Sequence, residues 1–98
     1  MDFDGFEKSL AGKAPPDELS DAVCALWWDA KGDWNAAHEC AQADEGAAGS
    51  WVHAYLHRKE GDAGNAAYWY RRAGKPVAVT SLEAEWRALA QALLAQES

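Results

Sequence analysis

His53 and His57 stand four residues apart in the segment Trp51-Val52-His53-Ala54-Tyr55-Leu56-His57-Arg58. On a helix their imidazoles share one face, about one turn apart. Two histidines at that spacing form a workable half of a metal site. The hydrolytic zinc motif would place Glu directly after the first histidine, and here that position is Ala54. Glu60 continues the same stripe at i+7, too far along the axis from His53 to share one ion with it. A third ligand would have to come from elsewhere, such as His38 or Asp29. The sequence therefore assigns no metal, no cofactor and no catalytic residue. The plainer expectation is that His53 and His57 hydrogen-bond Tyr70 or backbone groups between helices; the next is that they touch a ligand.

A second set lies downstream. Asn65, Tyr68 and Arg72 fall on one face of a helix, and an amide, a phenol and a guanidinium together suit a carboxylate, a phosphate or a peptide backbone. Arg71 and Arg72 also favour a helix C-terminus as last-turn cations. Trp28 points away from the Leu19–Val23–Leu26 stripe. It is an interface anchor unless a short N-terminal helix covers it through Phe3 and Phe6. Asp29 and Asp33 read as a solvated acid and an N-cap. No glycine-rich phosphate loop and no Ser–His–acid or Cys–His arrangement is present; Cys40 is only two residues from His38, which turns the two side chains in different directions.

Helices must position these groups. Lys31-Gly32-Asp33-Trp34-Asn35-Ala36-Ala37 recurs about thirty residues later as Glu60-Gly61-Asp62-Ala63-Gly64-Asn65-Ala66-Ala67, a period that belongs to stacked helix pairs. A short helix is expected over Phe3–Ala11. The next opens at Pro16-Asp17-Glu18, carries apolar residues at helical spacing from Leu19 to Ala30, and stops at Lys31-Gly32. Asp33 caps a third helix, Trp34 to about Asp44, with Trp34, Ala37 and Ala41 inward. Glu45–Gly49 reads as a flexible connection and Ser50 as the cap of a fourth helix, Trp51–Glu60. That helix has an aromatic face and a histidine face, so it should run through the middle of the molecule. Asp62 caps a fifth, Ala63–Ala73, ended by Gly74 and Pro76. Val77-Ala78-Val79 is extended. Thr80 with Glu83 forms a capping box for the last helix, whose Leu82, Trp86, Leu89 and Leu93 face inward.

The chain has 98 residues, 49% hydrophobic and 26% charged, which suits one all-α domain over residues 1–98. Six tryptophans and abundant alanine suit closely approaching helices with rings in the gaps. The formal charge of −7 argues against nucleic acid and anionic membranes as partners, since both demand clustered Lys and Arg. No apolar run reaches membrane-spanning length, and the acidic N-terminus is unlike a signal peptide. The expected compartment is the cytoplasm, with Cys24 and Cys40 reduced.

Gly61-Asp62 followed by Asn65-Ala66-Ala67-Tyr68-Trp69-Tyr70-Arg71-Arg72-Ala73 resembles the turn and second helix of a tetratricopeptide unit. Gly32-Asp33 and Ala36-Ala37 resemble the same elements in a first unit. Through Ala25-Leu26-Trp27-Trp28-Asp29, Trp51–Arg58 and Asn65–Ala73, the whole chain also resembles a group of small bacterial proteins of unassigned function. The resemblance implies two tetratricopeptide-like hairpins, a short N-terminal helix and a closing C-terminal helix. Together with the missing catalytic constellation it points to a protein- or peptide-interaction module, with a surface open to homodimer formation. The binding candidates are Trp28, His53, His57, Asn65, Tyr68 and Arg72. The competing reading is a small-ligand binder or enzyme with a His/Arg/Trp-lined pocket between the second, fourth and fifth helices.

Overall fold

The structure, a computed structural model, describes residues 1–97. Those residues form six helices and no strand: α1 (Phe3–Ser9), α2 (Asp21–Ala30), α3 (Trp34–Ala43), α4 (Ala47–Lys59), α5 (Ala63–Ala73) and α6 (Leu82–Glu97). This is the all-α architecture expected. α2 and α3 form one antiparallel hairpin and α4 and α5 a second; α6 lies across α2 and α4, and α1 rests on α6.

Both hairpin turns use the same chemistry. Gly32 and Gly61 hold φ of +85° and +91°, where a β-carbon is unfavourable. One residue later Asp33 and Asp62 accept the backbone N–H of Ala36 and Asn65 at 3.0 and 3.1 Å. Each turn thus ends one helix and caps the next within two residues. Gly74 closes α5 in the left-handed conformation, φ +71°.

Three helix starts differ from expectation. Pro16-Asp17-Glu18 forms a turn, and α2 begins only after Ser20, whose hydroxyl accepts from Val23 N–H at 3.3 Å. The cap of α6 is supplied by Ser81, through Ala84 N–H at 3.1 Å, and not by Thr80; the Thr80 carbonyl is taken by the Arg58 guanidinium. The largest difference is at α4. It starts at Ala47, so Ser50 and Gly49 lie inside the helix and are buried. Gly49 is there for space: a β-carbon on it would sit 1.9 Å from the Asp44 carbonyl oxygen. The chain leaving α3 therefore folds directly onto the first turn of α4.

The core is a slab of Phe6, Val23, Leu26, Trp27, Val52, Leu56 and Leu89, all fully buried. Ala37 and Ala41 bring the α3 backbone close to it, at 0% and 1% exposure. Every residue from Val52 to His57 is buried, so α4 is the central helix. The tryptophans join elements by their N–H groups as well as by area. Trp27 donates to Ser9 Oγ (3.2 Å), Trp34 to the Leu56 carbonyl (3.2 Å) and Trp86 to the Leu26 carbonyl (3.0 Å). These three bonds tie α1 to α2, α3 to α4 and α6 to α2, and they satisfy the N–H groups of one buried and two half-buried indoles. Val77 and Val79 are exposed, and within that extended segment Ala78 packs inward, against the Ala54–Ala66–Tyr70 cluster.

Candidate functional site

α4 forms the floor of a cleft whose walls are α3 and α5. His38 projects from α3 one turn after Trp34, and the two rings stack at 4.9 Å with an interplanar angle of 17°. His53 and His57 come from the middle of α4 and stack on each other at 4.9 Å and 18°. Trp69, from α5, covers the face of His53 at 3.9 Å and 15°. The result is three imidazoles held between two indoles. His53 Nε2 and His38 Nε2 are 2.8 Å apart, so one ring gives the proton and the other the lone pair. One nitrogen from each of the three rings lies within 4.8 Å of the others.

The second nitrogens are ordered too. His57 Nδ1 donates to Glu60 Oε1 at 2.6 Å, which leaves Nε2 of a neutral His57 as the lone-pair nitrogen. Asn65 Nδ2 lies 3.4 Å from that Nε2. Burial lowers the pKa of His53 to about 4, helped by the positive potential of His38, His57 and Arg72. His38 is lowered as well, by burial first and then by His57. Both rings are neutral at pH 7, since desolvation disfavours the cation. The expected bond from these histidines to Tyr70 is absent. Tyr70 donates to Glu85 instead, and the histidines find one another.

Outside the cluster the cleft opens into a cavity of about 510 Å³, lined by Asp44, Glu45, Ser50, His53, Trp69 and Arg72 among others. The Arg72 guanidinium sits 5.0 Å from the Trp69 ring centre and donates to Tyr68 Oη at 3.3 Å. Among the described residues no carboxylate pairs with it. Tyr68 is 47% exposed.

Of the residues singled out from sequence, His53, His57, Asn65, Tyr68 and Arg72 thus gather on one face. Trp28 is elsewhere. It is half-buried and packs edge-on against Trp27 at 5.0 Å, while Phe3 and Phe6 are engaged by Trp86. The cleft also differs in position from the pocket expected between the second, fourth and fifth helices, because α3 and not α2 supplies its second wall. His38, Trp34, Trp69 and Ser50 complete the face. The i, i+4 spacing of Trp34 and His38 was a signal available in the sequence; nothing local marked Ser50.

A second polar group lies across α4. Asp29 is not a solvated acid: at 5% exposure it accepts Tyr55 Oη and Lys59 Nζ, both at 2.8 Å. Glu85, equally buried, accepts Arg58 Nη1 at 2.8 Å and the Tyr70 hydroxyl. Burial and these carboxylates push both tyrosine pKa values upward, so Tyr55 and Tyr70 are permanent donors. Every buried side-chain nitrogen and oxygen among the described residues has a partner. This second group therefore holds helices together. None of the described helices is long and apolar enough to cross a membrane. No protein-family model matches the chain, and no curated protein or solved structure matches it either.

Proposed function

We propose that this protein acts by binding a short peptide segment of mixed charge in the cleft between α3 and α5. The observation that carries the reading is Arg72. It is an exposed guanidinium laid over an indole, with no carboxylate paired to it among the described residues, at the rim of a cavity large enough for a ligand. Arg72 gives one N–H to Tyr68, which leaves its other donors for a carboxylate or a peptide carbonyl. Asp44 and Glu45 line the same cavity and suit a cationic group of the same ligand. Trp69 adds apolar surface to the same lining. The two helical hairpins with Gly-Asp turns suit the same reading, since stacked helix pairs present binding surfaces. The cavity volume also favours a second reading, a small zwitterionic molecule in the same place.

Chemical-shift mapping with short peptides carrying both Lys and Glu, beside free amino acids, tests both readings. The expected result is perturbation of the Trp69 indole, Ser50 and Arg72 signals by one class of probe. Arg72→Ala should weaken that binding by about tenfold or more, the loss of one charge-assisted hydrogen bond. Perturbations confined to the Trp28 face, or affinity unchanged in Arg72→Ala, would reject the cleft.

A further inference from the structure

We infer that His38, His53 and His57 form a binding site for a borderline divalent transition metal, with zinc as the leading occupant. The inference does not depend on any ligand entering the outer cleft.

Three observations carry it. First, the donor atoms are already gathered, with one nitrogen per ring and no pair beyond 4.8 Å. Tetrahedral zinc at Zn–N distances of about 2.0–2.1 Å separates its nitrogens by roughly 3.3 Å. The His38–His53 pair, at 2.8 Å, must open by about half an ångström. The third ring must move by no more than about 1.5 Å. Side-chain torsions supply such shifts without moving a helix.

Second, the rings are oriented from outside as metal ligands are. Glu60 holds the Nδ1–H of His57 at 2.6 Å, the carboxylate–histidine arrangement that fixes the tautomer and puts the lone pair on Nε2, where a metal would displace the 3.4 Å contact from Asn65 Nδ2. Trp34 and Trp69 stack on His38 and His53 and restrict their rotation.

Third, the donor chemistry is selective. Three imidazoles suit zinc, copper, nickel or cobalt and are poor ligands for calcium or magnesium, which take oxygen. Imidazole binds a metal ion through the lone pair of its neutral form. Three protein nitrogens leave at least one coordination position for water or another small donor. The exposed carboxylates of Glu60 and Asp62 gather around His57 from the other side, and the test must separate that group from the histidine cluster.

The experiment is a titration of the untagged, chelator-treated full chain with zinc chloride, followed by calorimetry and thermal unfolding, and repeated with Co²⁺ read by its visible absorption. The expected result is one ion per chain and a melting temperature raised by about 10 °C or more when free zinc exceeds the dissociation constant a hundredfold. His38→Gln, at a half-buried position, should lower the affinity by at least tenfold. Glu60→Gln, on the surface, should lower it by about 10- to 100-fold without removing it. Binding should survive in the Cys24→Ser, Cys40→Ser double variant. Magnesium and calcium should give no shift. Three results would each overturn the site: no zinc-dependent stabilisation, binding lost with the cysteines, or affinity indifferent to His38→Gln. The last would place the ion on the exposed His57–Glu60–Asp62 group. Because no peptide or small organic ligand is present, failure here leaves the cleft proposal standing, and failure of the cleft proposal leaves this one.

Discussion

At the scale of single residues the histidines carry a thermodynamic signature. His53 titrates near 4 in the folded state and near 6.5 when unfolded. The unfolded chain therefore binds more protons between those values, and stability falls as the pH drops through that window. His38 from α3, His57 on α4 and Arg72 from α5 all act to lower the His53 pKa; Asp44 and Glu45 line the same cavity without reversing that direction. In chelator-treated protein, denaturant unfolding should show stability that is level above pH 6.5. Below it, stability should decline by up to about 1.4 kcal/mol per pH unit for this one proton. His53→Gln should reduce that slope. An equal slope in wild type and variant would mean that the ring is solvated and not sealed by Trp69. The i, i+4 pair of His53 and His57 was plain in the sequence. His38 was one of two third partners the sequence offered, beside Asp29, and the choice was not legible because the pairing joins residues fifteen apart across a helix–helix contact.

At the scale of elements, two glycines inside helices make opposite predictions. Gly64 sits in the first turn of α5 with open space around a built β-carbon. Gly64→Ala should stabilise by about 0.5–1 kcal/mol through a smaller backbone entropy loss. Gly49 is in α4, where a β-carbon would meet the Asp44 backbone. Gly49→Ala should cost about 2 kcal/mol or more, since overpacking against backbone outweighs any gain in helix propensity. Chemical denaturation of the two variants checks both signs. The pair also shows why the start of α4 was misplaced from sequence. Two glycines within Glu45–Gly49 read as flexibility, and the close approach that requires one of them exists only after α3 docks. By contrast, the Gly-Asp turns were legible because their chemistry is local: a left-handed glycine and an aspartate cap need no distant partner.

At the scale of the whole molecule, α4 is clamped on both sides by polar groups inside an aromatic core. Glu85 joins α6 to Arg58 of α4 and Tyr70 of α5, and Asp29 joins α2 to Tyr55 and Lys59 of α4. Removing one charge from such a buried set leaves its partner uncompensated. Glu85→Gln should therefore destabilise by roughly 3 kcal/mol. Unfolding should remain a single transition, because α4 packs against α2, α3, α5 and α6. Two separate transitions by calorimetry would show instead that the hairpins unfold independently. The sequence suggested no role for Glu85 and took Asp29 for a surface acid, because an isolated Asp or Glu in a helical pattern carries no mark of burial.

The sequence by itself determined the helical content, the two glycine pivots and the caps that follow them, since helix periodicity and turn chemistry act within a few residues. It also determined that histidines, tryptophans and an arginine would be available as ligating and stacking groups. Only the tertiary structure decided which of them meet. Small residues at Ala37, Ala41 and Gly49 let α3 lie close on α4, and that approach brings His38 to His53. The rotation of each helix about its axis, which selects the face turned inward, is set by packing across distant parts of the chain.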